Sequence, residues 1–254
     1  MSPRSLSAAL TVTALALVLL AVPASAQAPA GPFSAALGGR LGPTIKGLPA
    51  SPQALSLTVD ATFDSVPAGG QPPTLRRAVI SFPFGSRLNA TRFPTCTAAR
   101  LNARHADPAA CPAGSRIGTG RVVAIVSGSA VPVRLDLING PGGRSILFVF
   151  RARQPVVIEQ VVQAPLQTIN GPTYQFRLTL NVPAVLQQPI QGLFAGVKQF
   201  TATVSRKTVR RGSRRIGYVE ALACPPGARV PLRGDFTYVD GTSQSVDSFL
   251  TCGG

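Results

Sequence analysis

Residues 55–63 read LSLTVDATF, in which apolar side chains alternate strictly with polar ones. A period of two places one set of side chains in a core and the other in water, which is typical of an antiparallel sheet covered on one face. The same alternation returns in segments 131–137, 174–180, 200–204 and 232–238. The sequence therefore predicts five strands that each carry one dry face.

Three other runs are apolar at every position, namely 122–126, 146–150 and 156–158. They predict strands buried between two layers, although a short buried helix gives the same pattern. Asn139-Gly140, Asn170-Gly171 and Asp240-Gly241 supply residues that tolerate a positive φ and so favour turns, and Asp240-Gly241 is typical of a two-residue hairpin.

Helices are disfavoured by composition, because 25 Gly and 24 Pro are spread over 254 residues. The one helical candidate begins after Thr95 or Thr97 and runs through Leu101, before Pro108 ends it. The sequence thus predicts an all-β fold: an antiparallel β-sandwich, immunoglobulin-like or related, with at most one short helix. Residues 51–254 form this domain, as one sandwich or as two packed sub-sandwiches.

The N-terminus predicts export. Arg4, the apolar stretch 6–22 and Ala24-Ser25-Ala26 match a secretory signal peptide over residues 1–26, with an uncleaved N-terminal anchor as the alternative. Residues 27–50 are rich in Ala, Gly and Pro without periodicity, which predicts a loosely ordered leader. The mature chain contains no apolar run long enough for a transmembrane helix, so we expect a secreted protein that is free or associated with the cell wall.

An exported chain with four cysteines predicts two disulfides. Of the three possible pairings we favour Cys96 with Cys111 and Cys224 with Cys252, because both close short loops. A metal site is disfavoured, since there is no C-x-x-C pair and His105 is the single histidine. No cofactor is predicted.

No catalytic residue is predicted. His105 lies in a polar loop, and no G-x-S-x-G elbow accompanies it. Glycoside cleavage by two carboxylates would need a pair such as Glu220 and Asp235 to meet across strands. Those carboxylates are also expected to balance nearby arginines.

The chain is strongly basic, with 25 Lys plus Arg against nine Asp plus Glu and a net charge of +16. The densest charge lies between residues 206 and 215, which we interpret as a hairpin with Gly212-Ser213 at its tip. Its cations are Arg206, Lys207, Arg210, Arg211, Arg214 and Arg215. The hairpin is either a solvated turn that aids solubility or a docking site for an anionic wall polymer, acidic polysaccharide or DNA.

Three stretches resemble a set of uncharacterised secreted proteins of GC-rich actinobacteria: residues 82–85 (FPFG), 93–96 (FPTC) and 110–120 (ACPAGSRIGTG). The tail is similar as well, where Cys224-Pro225 precedes residues 236–242 and a terminal Cys252. The resemblance implies export and a β-rich fold. It supplies no catalytic residue, because that set has no established activity.

Together these observations favour an exported, non-enzymatic protein with a binding or structural role at the cell envelope or outside the cell. The alternative is a secreted carboxylate-based hydrolase. Specific nucleic-acid binding is disfavoured because aromatic residues are sparse, and single strands are held by stacking as well as by charge.

Overall fold

The computed structural model describes residues 33–46, 51–65, 70–83 and 85–253. The predicted signal peptide lies outside them. Within the described residues the chain forms two short α-helices, α1 (Ala98–Asn102) and α2 (Ala184–Gln187), three single-turn 3-10 helices and fifteen strands. The strands are β1 (Phe33–Gly42), β2 (Gln53–Ser65), β3 (Leu75–Pro83), β4 (Ser86–Leu88), β5 (Arg116–Val126), β6 (Ser129–Asn139), β7 (Ser145–Ala152), β8 (Ile158–Thr168), β9 (Tyr174–Asn181), β10 (Ala195–Val204), β11 (Thr208–Arg211), β12 (Arg214–Gly217), β13 (Val219–Ala221), β14 (Arg229–Tyr238) and β15 (Ser243–Cys252).

Eleven of these strands close into a barrel in the order β1, β15, β14, β3, β9, β8, β7, β6, β5, β10, β2. The ring closes because β1 pairs with β2 along its whole length, with Leu37 opposite Ala61. A ring with an odd number of strands cannot alternate in direction throughout. The single parallel pair among the described strands joins β1 to β15, the first strand to the last.

The all-β prediction is confirmed, but a closed barrel forms where a sandwich was predicted. The closing strand β1 falls inside the segment that was expected to be a loosely ordered leader. Its sequence FSAALGGRLG contains three glycines, and the adjacent pair Gly38-Gly39 interrupts the alternation by which the other strands are recognised. Strand β1 nevertheless pairs on both edges, with β15 and with β2.

The predicted dry faces point into the barrel. In β2 the five apolar residues of segment 55–63 are all buried, and Phe63 packs edge-on against Phe236 of β14 with ring centroids 4.9 Å apart. The barrel interior is therefore the main hydrophobic core.

A second, smaller core lies outside the barrel wall. Leu147 and Val149 of β7 point away from the interior and are covered by Leu101 of α1 and by Cys96. This confirms that residues 146–150 are buried on both faces. The helix begins as predicted, with the Thr97 side chain accepting a hydrogen bond from the backbone N–H of Arg100 at 3.2 Å.

Three local predictions were wrong. Residues 156–158 are not a buried strand: β8 begins only at Ile158, and Val157 is 70% exposed because the chain is still turning after Pro155. The helical turn α2 exceeds the single predicted helix, since four residues are too short to show a helical period. At Asp240-Gly241 the backbone N–H of Tyr238 donates to the carbonyl of Thr242, so three residues rather than two make the turn.

The two ends of the barrel differ. The end at which β2 begins and β6 ends, here called the polar end, carries β4, β13 and the β11–β12 hairpin. The end at which β2 finishes and β10 begins, here called the apolar end, carries α2 and the turn between β7 and β8. Among the described residues, no helix has the length and hydrophobicity needed to cross a membrane.

Candidate functional site

The predicted basic hairpin forms as a two-stranded sheet of β11 and β12. Gly212 adopts a φ of +60°, a left-handed conformation that suits glycine at the tip of a hairpin. Arg206 and Lys207 lie in the segment that leads from β10 into the hairpin. All six predicted cations are exposed, so the hairpin projects its charge into water as expected.

The charges of the hairpin face one another. Arg210 lies directly opposite Arg215, and Arg211 lies directly opposite Arg214. Like charges at directly opposed positions of an antiparallel pair are destabilising. None of the six cations forms an ion pair within the part of the chain that the structure describes. The arrangement therefore costs stability, and an external anion would relieve that cost.

The hairpin is held in place by three contacts. The backbone N–H of Tyr218 donates to the carbonyl of Lys207 at 2.9 Å, which closes its base. Val209 packs against the main core. The Arg211 guanidinium donates to the carbonyl of Arg92 at 3.3 Å. This last contact places Arg92, which is itself exposed, beside the hairpin and extends the basic surface.

A buried polar network lies beneath the hairpin, centred on Asn139 at the end of β6. The Asn139 side chain is fully buried; its Nδ2 donates to the carbonyls of Ala90 at 2.9 Å and Pro94 at 3.1 Å. Its Oδ1 accepts from the hydroxyl of Tyr218 at 3.1 Å. The Tyr218 ring in turn packs edge-on against Phe93, and burial raises the pKa of its hydroxyl. Asn139 thus joins β6, the 90–94 segment and the base of the hairpin.

Glu220 is buried beside this network and acts as a local acceptor. Its carboxylate accepts from the backbone N–H of Gly217 at 2.8 Å and from Nδ2 of Asn89 at 2.9 Å. Asn89 Nδ2 also donates to the Gly217 carbonyl at 2.9 Å. Asn89 belongs to the glycosylation sequon at residues 89–91, and the nitrogen that a glycan would occupy makes these internal bonds instead.

Glu220 and Asp235, the carboxylates of the hydrolase alternative, belong to separate networks. Asp235 lies on β14, where it accepts from Arg233 Nε at 3.1 Å and from the Ser245 hydroxyl. The hydrogen bond to Asp235 is the main reason why the pKa of Arg233 is raised. Asp235 and Glu220 share no hydrogen-bond partner among the described residues, so the geometry offers no paired acid and base.

The single histidine lies in solvent, and the four cysteines form two disulfides. His105 is 89% exposed, and its Nδ1 lies 3.4 Å from Oε2 of Glu159 on β8. In the described ranges no three His, Cys, Asp or Glu side chains gather where they could hold a metal ion. Both predicted disulfides are confirmed, Cys96–Cys111 with 5.5 Å and Cys224–Cys252 with 5.3 Å between Cα atoms.

Sequence reasoning missed two features of the polar end. It interpreted Asn139 only as a turn residue, whereas the structure makes it the centre of the buried network. It also missed Arg92, which lies 119 positions before Arg211. Neither could be found from local pattern, because both depend on contacts between distant segments.

Compared with known proteins, the chain matches no protein-family model, no curated protein and no solved structure.

Proposed function

We propose that this protein is an exported, non-enzymatic binding protein of the cell envelope or the surrounding medium. It docks an anionic wall polymer or acidic polysaccharide through the β11–β12 hairpin. The observation that carries the proposal is the pair of opposed arginines, Arg210 with Arg215 and Arg211 with Arg214.

Arginine is suited to this role because its planar guanidinium can donate two parallel hydrogen bonds to one phosphate or carboxylate. Two opposed pairs on a narrow ribbon offer such forks on both of its faces. The anchoring of the hairpin by Val209 and Arg211 holds the charges in a defined place, which favours a docking site over a merely solvated turn. The two disulfides are compatible with an extracellular location.

Retention of the mature protein on immobilised anionic wall polymer tests the proposal. The variant carries Arg210→Ser, Arg211→Ser, Arg214→Ser and Arg215→Ser. The matched control carries the same loss of charge at four exposed arginines elsewhere: Arg77→Ser, Arg104→Ser, Arg121→Ser and Arg153→Ser. We expect the hairpin variant to elute at much lower salt than the control.

The salt dependence measures how many contacts are lost. Polyanion binding is driven by release of counterions, so removing four contacts lowers the slope of log affinity against log salt by roughly three. Equal elution of the two variants would assign binding to net charge and not to the hairpin. A parallel column of duplex DNA shows whether the polymer is selected; stronger retention there would overturn the choice of a wall polymer.

A further inference from the structure

The barrel has more strands, and so a wider interior, than barrels that side chains fill completely. Eight strands already give an interior that side chains just fill or that holds one small ligand, and the diameter grows with strand number. This barrel has eleven, and none of the described residues forms a helix through its centre. Its interior is therefore wide for the side chains that line it.

Two cavities lie inside the barrel that the described residues form. The space that the centre of a water molecule can reach is about 110 Å³ in the first and about 80 Å³ in the second. One water needs about 10 to 15 Å³ by this measure, so the first cavity alone spans several water-sized positions. Close-packed protein interiors contain few voids larger than one water, which makes these cavities candidates for an occupant.

The lining of both cavities is apolar. Every residue around the second cavity is hydrophobic, and around the first only Ser86 and Tyr218 carry a polar side-chain atom. The Tyr218 hydroxyl is already used by Asn139. A ligand inside would find almost no hydrogen-bonding group, so the part of it that enters must be hydrocarbon.

The two cavities are neighbours along the barrel. Leu180 of β9 and Phe200 of β10 line both of them, so these side chains stand between one cavity and the other. The first cavity extends to Tyr218 near the polar end, and the second extends to Leu186 of α2 at the apolar end. The available space is therefore elongated, which suits a flexible chain better than a compact ring.

The apolar end is where such a chain would enter. Around the second cavity, four residues adjacent in the chain to its lining residues are exposed and hydrophobic; with the fraction exposed, these are Val157 (70%), Val185 (55%), Phe194 (47%) and Ile190 (41%), and Leu193 (38%) lies next to Phe194. Single exposed apolar side chains are ordinary, but several around one opening mark a binding site for an apolar partner. They come from α2, from the segment after it and from the turn before β8.

We propose that the barrel binds the hydrocarbon chain of a single-chain amphiphile of the fatty-acid class. The chain enters at the apolar end between α2 and the β7–β8 turn, while the polar head stays in water. This site is independent of the basic hairpin, which lies at the opposite end. The two proposals can therefore fail separately.

Binding of N-phenyl-1-naphthylamine, an uncharged dye that fluoresces in apolar surroundings, tests the site in mature protein stripped of lipid. We expect saturable binding of one dye and its displacement by decanoic acid. Ala124→Phe places a ring in the second cavity and should weaken dye binding at least tenfold. The matched control Ala130→Phe adds the same ring at an exposed position of the neighbouring strand and should leave binding unchanged.

Two further variants test the site in case Ala124→Phe does not fold. Ala195→Leu adds a smaller group to the same cavity and should also weaken binding, with circular dichroism and thermal unfolding reporting that the barrel is intact. Val157→Asp, at a side chain already in water, should slow dye association without lowering the thermal unfolding midpoint. The proposal is overturned if the dye does not saturate, if decanoic acid does not displace it, or if folded Ala195→Leu binds as the unaltered protein does.

Discussion

At the polar end of the barrel the chain is held by specific polar bonds, whereas at the apolar end it is held by packing and leaves cavities and exposed hydrophobic side chains. Asn139, Tyr218 and Glu220 have their hydrogen bonds satisfied inside the protein at the first end. At the second, Val157 and Val185 lie in water beside an apolar opening. A fully satisfied polar network specifies one arrangement, while apolar packing tolerates a change of volume. One end therefore anchors the fold, and the other leaves space that a ligand can enter.

The largest loss of stability is expected when the disulfide of the polar end is removed. Cys224→Ala with Cys252→Ala releases the end of β15, which runs beside the closing strand β1. For the 28-residue separation the chain-entropy model predicts a loss of about 3.6 kcal/mol. Urea unfolding of the double variant measures it.

The other disulfide provides the comparison for that experiment. Cys96→Ala with Cys111→Ala opens a 15-residue separation over the outer core, for which the same model predicts about 3 kcal/mol. We expect the first double variant to be the less stable of the two. The reverse order would show that the outer loop, and not the polar end, anchors the barrel.

The closure of the barrel can be tested at two adjacent glycines of β1. A side chain at Gly39 would collide with the Thr58 carbonyl of β2 and the buried side chain of Leu250, whereas one at Gly38 would meet open space. Gly39→Val should therefore cost about 2 to 3 kcal/mol, as overpacking does, and Gly38→Val less than about 0.5 kcal/mol. Thermal unfolding of both variants measures this difference in stability. Equal stabilities would mean that the β1–β2 pairing is not needed for the fold.

The smallest expected effect concerns the apolar end and alkaline pH. Burial raises the pKa of Tyr238 to about 12, with Asp240 adding to the rise. The neutral phenol is thus favoured in the folded state, so its contribution to stability is complete below pH 10 and is lost as the pH rises through 12. We expect the free energy of unfolding to fall over this range.

A variant identifies the group responsible. Tyr238→Phe should flatten the fall in stability between pH 10 and 12, as measured by urea unfolding at several pH values. Tyr174→Phe serves as the comparison, because Tyr174 is only half-buried, beside Asp247, and should change the profile less. An unchanged slope in Tyr238→Phe would show that another group governs the alkaline limb.

Much of the local structure was predictable from the sequence. The alternation in segment 55–63 identified β2 and its buried face, and the charge run from Arg206 to Arg215 identified a hairpin turning at Gly212-Ser213. Thr97 was correctly placed among the candidate caps of α1. These predictions succeeded because strand alternation, turn chemistry and helix capping depend on neighbours within a few residues.

The candidate sites were predictable only in part. The cations of the hairpin are found by reading the chain, but their opposed register and the contact with Arg92 are not. The buried hydrogen bonds of Asn139 join segments 45 to 79 residues apart. No local pattern carries information over that distance.

By itself, the sequence determined that this protein is β-rich, basic and cross-linked by two neighbouring cysteine pairs, since these properties follow from residue type and short-range spacing. Only the tertiary structure decided that the sheet closes into a barrel, because closure depends on β1 finding β2 on one edge and β15 on the other. That choice also created the apolar cavities. Pairing between strands from opposite ends of the chain is a property of the whole fold, and a period of two is the same in a sandwich and in a barrel.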